Sequence, residues 1–383
     1  MTGDKCDSYS ALPSAEYLPG IRNACRRPAA FAHPQRMAAC LRDANSEDSM
    51  SKKLINDPAH YVDEALDGLT TAFPGYRRTG RGGRVIARTH GPSTGQVGIV
   101  TGGGFGHLPL FAGYVGDGLL STCAIGEVFA GPPADICAEA IIAADGGAGV
   151  LCVLGNYGGD RMSFAQACDD VDERGVATRT VIVADDVASA APAERQKRRG
   201  VAGMVFAFKV AGACAAQGAS LEAVAEIAAR TAQRTRSIGV AVSPCEIPGA
   251  AAPGFTVASG EMELGMGIHG EPGMGRAALA SADAVADAMI ERLLAEPERV
   301  ASEEVAVLVN SLGATPLEEL LIIYRRVAEV LPRAGLSIRR RYVGHYTTSM
   351  EMAGCSLSIL YLDREIEALL AAPTSCPFWP TAC

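Results

Sequence analysis

The sequence predicts an α/β fold of two domains, each with a mostly parallel or mixed sheet flanked by helices. The length of 383 residues exceeds that of one typical domain. Short apolar runs, such as 97–101 and 149–154, alternate with segments in which apolar residues recur at helical spacing. The 43 glycines favour the tight turns that join strands to helices in such folds.

The chain divides into four segments by pattern. Residues 1–49 mix Pro, Arg, Ser and Cys without a sustained period, so we expect a disordered N-terminal extension, with Met50 as the natural start. Residues 50–237 form the predicted first α/β domain, which carries a glycine-rich loop. Residues 238–375 form the second, because a new strand pattern begins near 237. Residues 376–383 are a tail.

The elements of the first domain follow from start signals and apolar spacing. Asn56-Asp57-Pro58 is typical of a helix start. The arginine-rich residues 75–95 predict a solvated hairpin, with a phosphate-facing patch as the alternative. Strands are predicted at 97–101, 149–154 and 178–184, and helices at 134–144, 161–173, 201–217 and 220–235, the last capped by Ser220.

The second domain is also predicted to be α/β. The strand pattern that restarts at 237–243 is followed by strand 305–310, helix 316–331 and strands 337–343 and 355–362.

Bulk properties argue against several classes of protein. The formal net charge of −9 disfavours binding to nucleic acid. The 12 cysteines include no CxxC pair, so we expect reduced, buried thiols in a cytoplasmic protein. No apolar run approaches the ~18 residues of a membrane span, and no signal-peptide pattern follows Met1. Cysteines in apolar segments are Cys123, Cys137, Cys152, Cys168 and Cys214.

The segment TGGGFGHLP, residues 101–109, follows a predicted strand and contains Gly104, Phe105, Gly106 and His107. Glycines let backbone N–H groups approach an oxyanion or a hydroxyl. The segment lacks the Gly-Lys-Ser/Thr ending of a nucleotide phosphate loop and departs from the dinucleotide-binding pattern. A small-ligand loop and a merely tight turn both remain open.

The segment NYGGD, residues 156–160, also follows a predicted strand. A carboxylate there, that of Asp160, can accept a proton from a substrate hydroxyl. The alternative is that Asp160 caps the next helix. Because the loops after residues 101 and 154 both follow strand ends, we expect them to border one cleft.

The segment EMELGMGIHGEPG, residues 261–273, places His269 among glycines. A neutral imidazole nitrogen can act as a nucleophile or a base, and a structural histidine is the alternative. No second His or Cys lies nearby at ligand spacing, so we expect no metal site.

In this order, the motifs GGGFGHLP, GEVFAGPPAD, DGGAGV, NYGGD and EMELGMGIHGEPG resemble the substrate-binding subunit of dihydroxyacetone (glycerone) kinases, the DhaK type. LVNSLGATPLEEL and GHYTTSMEMAGCSLSIL extend the resemblance over about residues 50–375. The resemblance implies that His269 bonds to a ketone carbon as a hemiaminal. It implies that His107 hydrogen-bonds substrate and assists proton transfer, that Asp160 orients or deprotonates the attacking hydroxyl, and that the Gly104 backbone contacts substrate.

The resemblance also implies a kinase of the glycerone kinase type that works with other proteins. The family carries its nucleotide on a separate subunit or a C-terminal helical domain. We therefore expect no cofactor on this chain, and ATP or ADP with Mg²⁺ on a DhaL-type partner. That partner is recharged either by a DhaM-type phosphocarrier of the phosphotransferase system or by exchange with ATP. A homodimer and a cytoplasmic role in glycerol metabolism are expected as well.

The chain departs from the usual family pattern around the substrate, where we place Gly104, Phe105, Gly106, Gly155 and Gly131. Phe105 stands for Ser, Leu108 for Glu, Gly155 for Lys, Gly158 for Thr and Gly131 for Ser. Losing polar groups and a cation should slow transfer of a phosphoryl group to dihydroxyacetone, while the glycines should open space. A larger ketose such as a tetrulose is the alternative substrate.

A second reading is a non-catalytic ketose-binding paralogue that acts as a sensor and regulates through a partner protein. Retention of both His107 and Asp160 favours the kinase, because a pure binder has less need of a proton acceptor. A nucleotide-dependent enzyme complete in one chain is disfavoured, since no phosphate loop is present.

Overall fold

The computed structural model describes residues 53–296 and 302–380, and within these ranges twelve strands form two six-stranded sheets. The prediction made for residues 1–49 lies outside the described residues. The predicted α/β class is confirmed, because helices cover the faces of both sheets.

The first sheet has the strand order β1-β2-β4-β3-β5-β6. Strands β4, β3, β5 and β6 run parallel, and β1 and β2 add an antiparallel edge. Its strands are β1 (Tyr76–Thr79), β2 (Val85–Arg88), β3 (Gly98–Phe105), β4 (Thr122–Val128), β5 (Val150–Gly155) and β6 (Thr178–Val183). The helices interleaved with it are α1 (Tyr61–Ala72), α2 (Ala134–Ala144), α3 (Gly158–Asp172), α4 (Met204–Ala216) and α5 (Leu221–Gln233).

The second sheet has the order β11-β10-β12-β7-β8-β9 and is mostly antiparallel, with one parallel pair, β10 and β11. Its strands are β7 (Thr235–Ala241), β8 (Glu261–Leu264), β9 (Gly275–Ala278), β10 (Glu304–Ser311), β11 (Ser337–Gly344) and β12 (Gly354–Tyr361). Its helices are α6 (Ala282–Leu294), α7 (Leu317–Arg333) and α8 (Arg364–Ala371).

One hydrophobic core is shared by both sheets. Helices α2 and α3 cover one face of the first sheet, and α6 and α7 cover one face of the second. The main core lies on the other faces, where Phe206 of α4 packs against Tyr342 of β11 with ring centroids 5.7 Å apart. Helix α4 is therefore buried on all sides except at its end, which matches its continuous apolar sequence.

Several local predictions are confirmed. The Asp57 side chain accepts from the N–H of Ala59 at the predicted helix start, and that of Ser220 accepts from the N–H of Ala223 at the start of α5. The arginine-rich segment is the β1–β2 hairpin, but β2 is fully buried instead of solvated. It is buried because it pairs with β4 inside the sheet.

Four of the five hairpin arginines are paired with carboxylates and Arg77 donates to the Arg88 carbonyl, so the phosphate-facing alternative is not needed to explain them. Arg78 binds Asp63 at 2.6 Å, and Arg88 binds Asp117 at 2.8 Å.

Candidate active site

His107 lies in the loop that follows β3, and its ring is buried. Its Nδ1 is 2.8 Å from the carbonyl oxygen of Thr348. A carbonyl can only accept, so Nδ1 carries the proton and Nε2 carries the lone pair. Within the described residues that Nε2 is buried and has no hydrogen-bond partner. Burial, followed by the proximity of His269, lowers the pKa of His107 to about 3, so the ring is neutral at physiological pH.

His269 lies in the loop between β8 and β9, and its side chain is 22% exposed. Its Nδ1 is 2.7 Å from Oε1 of Glu271, and its backbone N–H also donates to that carboxylate. Burial opposes ionisation, but hydrogen bonds from His269 lower the pKa of Glu271 to about 2. The ionised carboxylate holds the proton on Nδ1, which leaves the Nε2 lone pair available for chemistry.

The glycines around His269 make room for this carboxylate. A Cβ at Gly267 would lie 2.1 Å from Oε2 of Glu271, and a Cβ at Gly270 would lie 2.4 Å from the ring of Phe255. Behind Glu271, the guanidinium of Arg199 lies 3.9 Å from Oε2 and forms an ion pair of 2.8 Å with Asp186.

The two histidines are neighbours in an aromatic cluster. Their ring centroids are 4.8 Å apart in an edge-to-face arrangement. Phe129 stacks on His107 at 5.0 Å, and Tyr157 meets His269 edge-on at 4.9 Å. The backbone of Phe129 has φ +56°, a left-handed conformation that bulky side chains rarely adopt and that tends to occur at functional sites.

Asp160 lies inside the first turn of α3 and is 8% exposed. The residue at the cap position is Tyr157, so the alternative in which Asp160 caps the helix is wrong. Burial raises the pKa of Asp160 to about 6, against the opposing influence of His269. A carboxyl with this pKa is ionised at neutral pH and is more basic than an exposed aspartate.

Three loops at one edge of the first sheet meet here, as the parallel strands β3, β4 and β5 require. A Cβ at Gly104, at the end of β3, would lie 2.7 Å from the backbone of Ala130, after β4. A Cβ at Gly131 would lie 2.1 Å from Oδ1 of Asp160, after β5. Gly106 has φ +109°, and a Cβ there would lie 2.9 Å from the Phe129 ring. The loops predicted to border one cleft therefore lie together.

The expected extra space is unevenly distributed among the glycines. A side chain at Gly158 would meet nothing within 4 Å, whereas one at Gly155 would meet Met204 at 3.0 Å and the Tyr157 ring at 3.1 Å. The room beside Gly131 is taken by Asp160 itself.

Phe105 is directed into the main core. It is 4% exposed, and its ring meets Tyr61 of α1 at 5.9 Å. Leu108 is half-buried and packs on the same core. The bulk that replaces the usual serine at 105 therefore adds to packing between β3 and α1.

Sequence reasoning did not single out Glu271, Phe129, Tyr157 or the Thr348 carbonyl. Glu271 could have been predicted as a partner of His269 from the sequence, since it lies two residues after it. The Thr348 carbonyl left no signal, because every residue has a backbone oxygen.

In the described part of the chain, no group of three or more His, Cys, Asp or Glu residues is placed to hold a metal ion. Over the same residues, no helix combines the length and apolarity needed to cross a bilayer. The eight described cysteines are free, and all except Cys168 are buried.

Known protein families give a context for the two neighbouring histidines and the buried aspartate. Residues 67–378 match the model of the Dak1 domain, which spans most of the chain. The chain belongs to the Dak1 domain family.

Among curated Dak1 relatives, the dihydroxyacetone-binding subunit DhaK of PTS-dependent dihydroxyacetone kinase 1 from Listeria innocua is 42% identical over 82% of this chain and 95% of the relative. L-erythrulose kinase from Pectobacterium atrosepticum is 42% identical over 85% of this chain, which spans only 55% of that longer protein. The solved structure of the dihydroxyacetone kinase operon co-activator Dha-DhaQ has a TM-score of 0.78 and 29% identity, and the match covers 83% of this chain and 98% of that one.

Proposed function

We propose that this Dak1 protein is the ketose-binding subunit of a dihydroxyacetone-type kinase. It holds a short ketose covalently on His269 while a separate subunit supplies the phosphoryl group. The observation that carries the proposal is the pair of adjacent imidazoles, each with its Nδ1 hydrogen-bonded to an oxygen, which leaves Nε2 as the nitrogen available to a ketose.

The His269–Glu271 pair suits addition to a carbonyl. As Nε2 bonds to the ketone carbon, the C=O π electrons move to oxygen and positive charge develops on the ring. The Glu271 carboxylate, 2.7 Å from Nδ1, stabilises that charge without taking the Nδ1 proton, and the alkoxide oxygen takes one proton from solvent, so that the adduct carries a hydroxyl beside an imidazolium–carboxylate pair. This is the role that a carboxylate plays beside a catalytic histidine in serine hydrolases. Glycerol has no carbonyl and is excluded.

Asp160 and His107 suit the chemistry of the ketose hydroxyls. The ionised Asp160 accepts the proton of the terminal hydroxyl as that oxygen attacks phosphorus. His107 remains neutral, so its buried Nε2 accepts a hydrogen bond from the bound ketose. Both groups are fixed by packing, which supplies the positioning on which phosphoryl transfer depends.

The ketose has three or four carbons in this proposal. Relatives named for dihydroxyacetone and for erythrulose are equally similar to this chain. Open space beside Gly158 supports the longer ketose. Competition between dihydroxyacetone and erythrulose for His269 decides which is preferred.

The phosphoryl donor approaches over the start of α3. Arg161 follows Asp160, is exposed and donates to the Asn156 side chain at 3.1 Å. Its guanidinium supplies a positive charge close to Gly155, the position at which the family usually has Lys. Met162 is 76% exposed beside it and suits contact with a partner subunit. We assign nucleotide and Mg²⁺ to that partner, and we place the complex, with this chain as a homodimer, in the cytoplasm.

The test is the intact mass of the purified chain mixed with either ketose under gentle ionisation. We expect an adduct of one ketose, which is lost in His269→Ala and kept in His345→Ala, an exposed histidine outside the site. Glu271→Gln should slow adduct formation at least tenfold, because the amide cannot stabilise the ring charge. No adduct with either ketose, or one that survives in His269→Ala, would refute the covalent role.

The co-activator neighbour supports a second candidate, a ketose-binding regulator. The kinase subunit and the regulator differ in one measurable product, the ketose phosphate. A kinase subunit forms ketose phosphate when it is mixed with a nucleotide-loaded partner subunit of the DhaL type, whereas a regulator forms the adduct and no phosphate ester.

A further inference from the structure

A cavity of about 670 Å³ lies at the free edge of the second sheet. Three consecutive arginines of the edge strand β11, Arg339, Arg340 and Arg341, line one side. The end of α8 and the segment after it, including Pro373 and Trp379, line the other. The volume is in the range of small-molecule sites, and none of the lining residues belongs to the histidine site.

Two of these arginines lack acidic partners in the described parts of the chain. Arg339 lies between Glu304 at 3.4 Å and Glu367 at 3.8 Å. Arg341 reaches only the Ile338 carbonyl, at 3.5 Å. Arg340 makes no ion pair there, and its Nε is buried without a hydrogen-bond partner. A protein with a net charge of −9 thus keeps two consecutive arginines without acidic partners on this edge strand.

Arg340 shares a sheet face with the aromatic wall of the cavity. It pairs in register with Ala306, and Tyr342, two residues further along β11, pairs with Leu308. Residues two apart on a strand point to the same face, and the Tyr342 ring lies 5.2 Å from the Trp379 ring. A buried donor without a partner is rare in folded proteins, and a bound acceptor would satisfy it.

We propose that this cavity binds the phosphate monoester of a small organic molecule. Arg340, on the face of β11 that also carries Tyr342, holds the phosphate, and the Tyr342–Trp379 wall contacts the organic part. A guanidinium group matches phosphate oxygens in pairs, and Arg341, which follows on the opposite face of the strand, adds positive charge along the same edge. The proposal goes beyond the ketose kinase function and does not depend on it.

Trp379 is the only tryptophan in the chain, so tryptophan fluorescence comes from one residue in the wall of this cavity. We would titrate the full chain with AMP as the phosphate monoester, at constant ionic strength, with adenosine and inorganic phosphate as matched probes. We expect a saturable change with AMP, at least tenfold weaker binding of inorganic phosphate, and no response to adenosine at the same concentrations.

Variants assign the response to the arginines. Arg340→Met should weaken AMP binding at least tenfold and Arg341→Ala severalfold, whereas Arg333→Ala, an exposed arginine paired with Glu329, should leave it unchanged. His269→Ala should also bind AMP normally, which separates this site from the ketose site. If Arg340→Met fails to fold, Arg340→Lys decides, because lysine keeps the charge but loses the paired guanidinium donors and should weaken AMP binding severalfold.

Three results would overturn the proposal. They are the absence of a saturable response to AMP, an AMP affinity unaffected by the arginine variants that fold, and binding of adenosine or inorganic phosphate as tight as that of AMP.

Discussion

The carboxylate of Asp160 is buried, and this burial raises its pKa to about 6. The folded protein therefore binds the proton more tightly than the unfolded chain, in which aspartate titrates near its ordinary value of about 3.9. Stability contributed by this group is present at low pH and is lost as pH rises through about 6. The same basicity makes Asp160 a good proton acceptor, so function and stability oppose each other at this residue.

Asp160→Asn should therefore stabilise the protein at pH 7.5 by about 1–3 kcal/mol, and the gain should shrink toward pH 4.5. In the kinase reaction it should lower turnover by about 10²–10⁴-fold. Thermal unfolding at both pH values checks the first part, with Asp170→Asn on the exposed side of α3 as the control. A variant less stable than the parent at pH 7.5 would mean that the carboxylate has stabilising partners.

At the scale of elements, α4 carries a charge inside an otherwise apolar, buried helix. Lys209 is fully buried, and its Nζ donates to the Leu369 carbonyl at the end of α8 at 2.9 Å. Burial lowers the pKa of Lys209 to about 8. The unfolded chain therefore binds this proton more tightly, and the protein gains stability as pH rises from about 8 toward the ordinary lysine value.

Lys209→Met should stabilise the protein by about 1–3 kcal/mol at pH 7, with a smaller gain at pH 10. The Leu369 carbonyl still accepts from the N–H of Ala372, so no buried acceptor is left unpaired. Chemical denaturation at the two pH values measures the effect, and the exposed Lys197→Met serves as the control within about 0.5 kcal/mol. A loss of stability would show that the charge has a favourable partner.

At the scale of the whole molecule, the site is formed where the two sheets meet. The His107 backbone carbonyl accepts from the N–H of Thr348, and that of Gly106 accepts from Met350. The Tyr114 hydroxyl donates to the Tyr346 carbonyl at 2.8 Å. These contacts and the shared core join residues more than 200 positions apart. The boundary proposed between residues 237 and 238 stays a prediction, but unfolding of either half would expose this core.

We expect thermal unfolding in one cooperative transition, with coincident midpoints from backbone circular dichroism and from the fluorescence of Trp379. Trp379 packs against Tyr114 near the first sheet and Tyr346 near the second. Leu320→Ala in α7, which packs on the far face of the second sheet, should lower both midpoints equally. Separate midpoints, or a shift in only one signal, would show that the halves unfold independently.

The sequence by itself predicted the α/β class and most elements of the first domain. Helix α2 was predicted with its observed bounds, and β5 and β6 to within one residue, because their apolar runs are bounded by clear turn signals. No element was predicted at β4, β8, β9, α6 or α8. For α6 the signal existed, since Ser281 caps it and Val285, Met289 and Leu293 recur at helical spacing. Strands β8 and β9 have only four residues each, too few for a period.

The order of motifs also pointed to His107, Asp160 and His269 before any geometry was known. Only the tertiary structure decided their states. A carbonyl 241 positions away holds the proton of His107, the turn at Gly270 brings Glu271 to His269, and burial raises the pKa of Asp160. Side-chain identity is written in the sequence, whereas tautomer, pKa and orientation depend on neighbours that only the folded chain brings within a few ångströms.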